Sequence, residues 1–309
     1  MHPTHAASSQ PAANAPSLAQ APIGVFDSGI GGLSVLQALR TALPHEDFVY
    51  VADSAHAPYG ERDDACIARR AQAIALHLRQ NHRAKALVVA CNTASAAAAH
   101  TLRKAHPGWP IVAIEPALKP AALRTRTGRV GVLATRGTLG SPKYAALRAA
   151  VLQAHPAVHF SEQACDGLAA AIEHWASSGD GDLARALLAQ YLRQLGALGD
   201  APEAIDTLAL GCTHYPLIGP QIQRRVPVGV ALIDAGVPVA RQTQRVLHAT
   251  GLLRDAADAA DAEKRAGQLT LLATGTDARA LQAAANRWLE RATAGSGGDC
   301  GVQTCPELA

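Results

Sequence analysis

The stretch Ala86–Ala96 reads ALVVACNTASA and decides how the rest of the chain is interpreted. Apolar residues lead into Cys91, the polar pair Asn92 and Thr93 follows at once, and small residues suited to a helix complete the stretch. This order predicts a buried strand, a sharp turn and the start of a helix. The turn would then carry a thiol and two hydrogen-bonding side chains.

A second stretch, Leu208–Ile218, repeats this pattern as LALGCTHYPLI. An apolar strand again leads into a thiol, Cys212, which is followed by Thr213 and His214. One such turn would carry little information, because buried cysteines commonly serve as small core residues. Two of them in one chain predict that two thiols meet in a shared cleft.

Length and composition limit the class of protein. A chain of 309 residues has room for about two domains of roughly 150 residues each. Hydrophobic residues make up 49% and aromatic residues only 4%, which predicts cores of Ala, Leu, Val and Ile. The net charge of +3 comes without a Lys/Arg block, so no direct nucleic-acid contact is expected. No run of 18 apolar residues predicts a membrane span.

The two ends of the chain differ in composition from the rest. Residues 1–21 lack Lys, Arg and an apolar core, which argues against a signal peptide and predicts a disordered tail. Residues 292–309 are predicted to form a flexible tail. The six cysteines show no dense spacing, which favours reduced thiols and a cytoplasmic location. Cys300 and Cys305 have no neighbouring His in the sequence and form a poor zinc motif.

Apolar strands alternate with helical patterns along the chain, which predicts a doubly wound parallel α/β architecture. Ligands of such sheets bind beyond the carboxyl ends of the strands. Each predicted polar turn follows a strand, so we expect one ligand cleft between two halves. These turns are Asp27-Ser28, Asp53-Ser54, Cys91-Asn92-Thr93, Thr135 to Thr138 and Cys212-Thr213-His214.

The glycine-rich segment after Asp27 reads SGIGG and precedes a predicted helix at Leu33–Arg40. Glycines in such a turn expose backbone N–H groups at a helix start, which suits an anionic carboxylate or phosphate. The spacing does not match a dinucleotide or P-loop fingerprint. Asp27 is placed either for chemistry or as a helix cap.

Five motifs together resemble the glutamate racemase family over roughly Pro22 to Arg291. They are DSGIGGLSVL, YVADSAHAPYG, VVACNTASA, GVLATRGT and LGCTHYPLI. The resemblance implies two flavodoxin-like α/β domains with the active site between them, the first formed by residues 22–116 and 229–291 and the second by 117–228. It also implies a cofactor-independent enzyme that supplies D-glutamate for peptidoglycan, a homodimer, and a contact with DNA gyrase.

Carried over to this chain, the resemblance assigns the site residues. Cys91 and Cys212 match the catalytic pair, with Cys91 acting on D-glutamate and Cys212 on L-glutamate. Asp27, His214 and Glu173 match supporting acid/base residues. Substrate contacts are expected from Asp27, Ser28, Tyr59, Gly60, Asn92, Thr93, Thr135, Thr138, Thr213 and His214.

The residue types suit racemisation, which needs a base on one face of the α-carbon and an acid on the other. A thiol has an ordinary pKa of about 8.5, so its base form must be favoured. Helix N-termini after both cysteines, the substrate ammonium and a protonated His214 would favour it. Asp27 would raise the pKa of a nearby thiol, so we interpret it as a hydrogen-bond partner or proton acceptor for Cys91.

Other functions remain open from the sequence. An aspartate racemase would share both cysteines and differ in pocket size. Cys91, Cys212 and His214 could instead bind zinc, although structural sites usually have four ligands and tighter spacing. A protein that binds gyrase without racemase activity is a further alternative. A pyridoxal enzyme is disfavoured, because none of the five lysines lies in the cysteine motifs.

Overall fold

The computed structural model describes residues 17–254, 266–276, 278–289 and 301–308. Most of the predicted tail at 1–21 lies outside these residues, although a short 3₁₀ helix at Leu18–Gln20 is described. The described strands are β1 (Ile23–Asp27), β2 (Phe48–Ala52), β3 (Ala86–Val89), β4 (Ile111–Ala113), β5 (Arg129–Ala134), β6 (His159–Ala164), β7 (Thr207–Gly211), β8 (Ala231–Ile233), β9 (Leu269–Thr274) and β10 (Val302–Cys305).

Helices connect most of these strands, as the sequence pattern predicts. They are α1 (Leu33–Ala42), α2 (Asp64–Gln80), α3 (Asn92–Ala105), α4 (Leu118–Arg124), α5 (Arg136–Leu139), α6 (Pro142–Ala154), α7 (Leu168–Ser178), α8 (Asp182–Leu195), α9 (Gly219–Gln223), α10 (Gly236–Ala249) and α11 (Arg279–Trp288). None of the helices in the described parts of the chain is both long and apolar enough to cross a membrane.

The strands form two parallel sheets, which confirms the predicted fold class. The first has the order β10-β9-β2-β1-β3-β4 and the second the order β6-β5-β7-β8. In the first sheet β1 lies between β2 and β3, and in the second sheet β5 lies between β6 and β7. This arrangement is the flavodoxin-like switch point, where chain direction across the sheet reverses and ligands bind.

The register aligns the carboxyl ends of the central strands. Asp27 at the end of β1 is paired with Ala52 of β2, and Ala134 at the end of β5 is paired with Gly211 of β7. β1, β2 and β7 are buried along their whole length, as expected for strands covered on both faces. One apolar core includes Val25 of the first sheet and Leu133 of the second, so the two halves share packing.

The predicted division of the chain differs from the observed pairing at two places. β8 pairs with β7 in the second sheet, whereas the predicted boundary at residue 229 assigned it to the first half. The predicted flexible tail at 292–309 is wrong for residues 301–308, because β10 pairs in parallel with β9 at the sheet edge. The remaining domain boundaries stay a prediction.

Candidate active site

The ends of four parallel strands deliver the chemical groups of the site. Asp27 is the last residue of β1, Cys91 follows β3, Thr135 follows β5 and Cys212 follows β7. The two sheets face each other at these ends across a cavity of about 20 Å³. It is lined by Ser28, Pro58, Tyr59, Gly60, Cys91, Asn92, Thr93, Thr135, Ala169, Gly211, Cys212, Thr213 and His214.

Cys91 occupies the N-cap position of α3. The Ala94 N–H donates to its Sγ at 3.4 Å, and Sγ lies 3.8 Å from Ser28 Oγ. Burial is the main factor that raises the pKa of the Cys91 thiol, and the Asp27 carboxylate raises it further. The predicted effect of Asp27 on this thiol therefore has the right direction. Without substrate, Cys91 is a neutral thiol at neutral pH.

Asp27 is completely buried and fixed by the glycine segment. The Gly32 N–H donates to its Oδ2 at 2.5 Å, and the Thr213 hydroxyl donates to the same oxygen at 3.3 Å. Burial raises the pKa of Asp27, while His214 and the hydrogen bond from the Gly32 N–H lower it in part. Asp27 is also hydrogen-bonded to Cys91, and its role as proton acceptor for this thiol stays a prediction.

Cys212 belongs to a chain of three acid/base groups. Its Sγ lies 3.7 Å from His214 Nδ1, and His214 Nε2 donates to Glu173 Oε1 at 2.7 Å. Burial alone would lower the pKa of His214, but the contacts with Cys212 and Glu173 outweigh it and hold the pKa well above its ordinary value. The raised pKa favours the protonated imidazole beside the Cys212 thiol.

The two cysteines differ in their helical surroundings. Cys91 begins a helix of 14 residues, whereas Cys212 is followed by a four-residue 3₁₀ turn, Tyr215–Ile218, and then by the short helix α9. The prediction of a helix N-terminus after both thiols is thus wrong for Cys212. A turn this short has little macrodipole, so the nearest source of positive charge is the His214 imidazole, whose Nδ1 lies 3.7 Å from Cys212 Sγ.

The glycine segment binds a carboxylate of the protein itself. The Ile30 N–H donates to Glu173 Oε1 at 2.8 Å. A Cβ on Gly29 would lie 1.9 Å from the same oxygen, and a Cβ on Gly31 would lie 2.3 Å from His214 Nδ1. These glycines are therefore required for the close approach of Glu173 and His214. The Ile30 N–H of the segment predicted to receive an anionic ligand is thus taken by Glu173 of the protein itself.

The hydroxyls of three threonines lie close together at the cavity and beside it. Thr93 Oγ1 and Thr135 Oγ1 are 3.2 Å apart, and Thr135 donates to Thr138 Oγ1 at 2.9 Å. Asn92 is 5% exposed, and its Oδ1 has no hydrogen-bond partner in the described part of the chain. Because a buried unpaired oxygen is costly, Asn92 is suited to receive a ligand N–H group.

Tyr59 contacts the cavity with its ring, since its hydroxyl is bound elsewhere. The hydroxyl donates to Asp53 Oδ2 at 2.5 Å, and Arg70 Nη2 donates to Asp53 Oδ1 at 2.8 Å. Thr274 Oγ1 donates to the same Oδ1 at 2.8 Å. Sequence reasoning placed Asp53 at a strand end but missed this network, because Arg70 and Thr274 are distant in the chain.

We expect Asp53→Asn to lower the free energy of unfolding by about 3 kcal/mol at pH 7, since it leaves Arg70 without its buried partner. Burial alone would raise the pKa of Asp53, but the hydrogen bonds from Arg70, Tyr59 and Thr274 outweigh it and lower the pKa. The stabilisation is then present above the ordinary pKa of about 3.9 and is lost as pH falls through the lower folded value. Urea unfolding at pH 7, at pH 4 and at about pH 2.5 measures this, since the loss occurs below the ordinary pKa.

The wild type and the Asp53→Asn variant should converge in stability only below about pH 4. Asp63→Asn is a matched control, because Asp63 caps α2 with one hydrogen bond to the Cys66 N–H. Because asparagine caps a helix about as well as aspartate, this change should cost well under about 1 kcal/mol. Equal losses of unfolding free energy in the two variants would contradict the proposed contribution of the Asp53 network to stability.

Most predicted site residues lie on the cavity, with three exceptions. Asp27 and Glu173 do not line it, but they are hydrogen-bonded to the lining residues Thr213 and His214 respectively. Thr138 lines a smaller adjacent cavity of about 10 Å³. Sequence reasoning missed Pro58, Ala169 and Gly211 as lining residues. Pro58 and Gly211 directly flank predicted site residues, whereas Ala169 in α7 has no chemical signal.

Comparisons with known proteins agree with this geometry. The family described as Asp/Glu/Hydantoin racemase matches residues 23–243. The chain is 52% identical over 228 residues to a glutamate racemase of Ectopseudomonas mendocina, covering 74% of this chain and 82% of that protein. A glutamate racemase structure from Bacillus anthracis has a TM-score of 0.73 and 30% identity, covering 92% of this chain and 97% of the other.

A third relative was solved with ligands. The glutamate racemase of Escherichia coli, in complex with L-glutamate and the activator UDP-MurNAc-ala, has a TM-score of 0.71 and 28% identity. The alignment covers 92% of this chain and 98% of that one. Family match, sequence identity and fold lead to one conclusion: this chain belongs to the Asp/Glu/hydantoin racemase family and, within it, to the glutamate racemases.

Proposed function

We propose that this protein interconverts L- and D-glutamate by a two-base mechanism that uses Cys91 and Cys212 and needs no cofactor. One observation carries the proposal: both thiols line the same small cavity, and each has its own acid/base partner. Asp27 lies beside Cys91, and the His214–Glu173 pair lies beside Cys212. A thiol site of this kind can deliver and remove protons on both sides of one carbon.

In the reaction, the thiolate of one cysteine takes the α-proton and becomes a thiol, and the electron pair of the broken C–H bond stays on the substrate. The thiol of the other cysteine then gives its proton to the opposite face and becomes a thiolate. The enzyme therefore ends each turnover with its two cysteines in exchanged protonation states. Proton exchange with solvent restores the starting form.

The thiolate at each position forms by a different route. At Cys212, the cationic His214 favours the thiolate by charge, and Glu173 holds the imidazolium in place. At Cys91, burial and Asp27 oppose the thiolate. We infer that the substrate ammonium supplies the missing positive charge there and that Asp27 takes the thiol proton. Cys91 is thus activated only when substrate is bound.

The cavity must open before glutamate binds. A volume of about 20 Å³ has room for about one water. A separate surface cleft of about 610 Å³ is lined by Pro58, which also lines the cavity, and by Glu173. We propose that substrate enters from this cleft when the two halves move apart. Closure then excludes water, which protects the carbanion from unselective protonation.

Binding of glutamate uses both walls of the site. The hydroxyls of Thr93 and Thr135 and the Asn92 amide lie on the cavity, together with Ser28 and Thr213. We assign the distal carboxylate to the Thr135 side and the α-amino acid head to the groups next to the thiols. A shorter substrate such as aspartate cannot reach both ends at once and should be turned over more slowly.

The purified chain, without added cofactor, should racemise L- and D-glutamate in a circular dichroism assay. In heavy water the product should carry deuterium at the α-carbon, because the protonating thiol exchanges with solvent. Retention of the original α-hydrogen would contradict the two-base route. Aspartate turnover equal to that of glutamate would instead assign the site to aspartate.

The cellular role is also a proposal and rests on family resemblance. We propose that the protein is cytoplasmic and supplies D-glutamate for peptidoglycan, with a homodimer as its assembly and a contact with DNA gyrase. Sedimentation velocity tests the dimer, and a supercoiling assay with gyrase and the purified chain tests the contact. Depletion in cells should be rescued by external D-glutamate, and failure of that rescue would contradict the peptidoglycan role.

A further inference from the structure

A cluster of metal-ligating side chains lies away from the catalytic cavity, where β10 packs against the end of α2. His77 stands in the last turn of α2, and His82 follows just after the helix. Cys305 is the last residue of β10, and Glu307 lies in the 3₁₀ turn Pro306–Leu308. His77 and Cys305 are 8% and 3% exposed. Ligand atoms of His77, Cys305 and Glu307 all lie within 4.8 Å of one another.

The distances between these atoms match those around a tetrahedral zinc ion. His77 Nε2 lies 3.3 Å from His82 Nε2 and 3.5 Å from Cys305 Sγ. With Zn–N bonds of about 2.05 Å and a Zn–S bond of about 2.3 Å, tetrahedral angles place two nitrogens about 3.3 Å apart and nitrogen and sulfur about 3.6 Å apart. The two donor pairs that share His77 Nε2 are thus already spaced as zinc would hold them, and His82 lies just outside the group of ligand atoms that are all within 4.8 Å of one another.

A fourth ligand is within reach. Cys305 Sγ donates to Glu307 Oε1 at 3.1 Å, and the Glu307 side chain is 56% exposed and can turn toward the other three groups. One thiolate, two imidazoles and a carboxylate are ligands that zinc accepts, whereas magnesium and calcium prefer oxygen alone.

We propose that His77, His82, Cys305 and Glu307 form a zinc site that fastens the C-terminal strand to the first sheet. On binding, the Cys305 thiol releases its proton to solvent and its sulfur bonds to the metal. The neighbouring turn is held independently, because Arg70 donates a hydrogen bond to the Leu308 carbonyl. The sequence alone does not reveal this site, since 228 positions separate His77 from Cys305.

Zinc binding by the full-length chain tests the proposal after removal of metals with a chelator. Zinc alone is titrated in competition with a chromophoric chelator, and we expect one ion per chain. Cobalt(II) alone should give a near-ultraviolet thiolate-to-metal band. Cys305→Ala should weaken zinc binding by more than the ~10–100-fold that loss of an outer-shell partner costs. Cys66→Ala, which changes a half-exposed thiol on the same helix, is the matched control and should bind like the wild type.

A measurement on the wild type avoids any effect of the variants on folding. Alkylation with iodoacetamide, mapped by mass spectrometry, should show that zinc protects Cys305. His82→Ala, at a half-buried position, provides a second variant if Cys305→Ala does not fold. Zinc affinity unchanged in Cys305→Ala, protection of Cys91 and Cys212 alone, or no bound zinc would each overturn the proposal. Racemase activity does not enter this test, so its outcome is independent of the proposed function.

Discussion

Cys91→Ser and Cys212→Ser should each reduce racemisation in both directions, with kcat lower by at least about 10²–10⁴-fold. Serine keeps the shape of the side chain, but a hydroxyl is a far weaker base and acid than a thiol. Because each thiol is the base in one direction and the acid in the other, loss of either stops both directions. Microscopic reversibility forbids a variant that racemises one way only.

The same variants should retain opposite half-reactions. Elimination of a β-leaving group, as from a 3-chloro analogue of glutamate, needs only the base that removes the α-proton. Cys212→Ser keeps Cys91 and should eliminate from the enantiomer that Cys91 faces, which the resemblance assigns as D. Cys91→Ser should show the opposite preference. Elimination rates from both enantiomers with both variants measure this directly.

A control and a contradiction complete the cysteine experiment. Cys66→Ser changes a half-exposed thiol outside the cavity and should keep full activity. An identical enantiomer preference in the two active-site variants would show that the thiols do not act on opposite faces of the substrate. The two-base assignment of Cys91 and Cys212 would then be wrong.

Gly29→Ala should lower kcat by about 10²-fold while the fold stays intact, because a small displacement of a catalytic support has effects of this size. The new Cβ would lie 1.9 Å from Glu173 Oε1, so the carboxylate must move. It would then lose its hydrogen bonds with the Ile30 N–H and His214 Nε2. Glu173 is a long side chain and can move without disturbing the sheet.

The effect of Gly29→Ala should fall on one thiol only. Without Glu173, the pKa of His214 falls and Cys212 loses its neighbouring cation, whereas Cys91 keeps Asp27. Racemisation should therefore fail in both directions, while elimination from the enantiomer that Cys91 faces should persist. The pH profile of the residual racemisation, which still needs Cys212, should shift to lower pH, since His214 now loses its proton earlier.

Two further variants separate this effect from a general change in packing. Glu173→Gln should show the same loss and the same shift of the pH profile, because it removes the charge that stabilises the imidazolium. Gly219→Ala is the matched control, since its Cβ would meet no atom within 4 Å. Full activity of Gly29→Ala would contradict a positioning role for Glu173.

The fold and the chemistry of the site follow from local sequence patterns. Apolar runs such as Phe48–Ala52 are buried along their whole length and become strands wherever they are followed by a polar turn and a helix. Parallel strands in this order place every such turn at one edge of a sheet. Cys91 and Cys212 could therefore be assigned to a common cleft from the sequence alone.

Elements with weak local signals were not predictable in the same way. α4 begins at Leu118 and carries Pro120 in its first turn, which is tolerated there but resembles a helix breaker in the sequence. β10 follows a Gly-rich segment, and its short run VQTC becomes a strand only because β9 offers it an edge. β8 likewise belongs to the second sheet, and not to the first domain as predicted, because it pairs with β7.

The sequence by itself determined the two thiols, their polar neighbours and the parallel sheets, because these depend on residues a few positions apart. Only the tertiary structure decided what surrounds each thiol. The Ile30 N–H binds Glu173 from 143 positions away, and Thr213 reaches Asp27 across 186 positions. Such contacts fix which groups are charged, and they arise from packing between distant segments that no local pattern encodes.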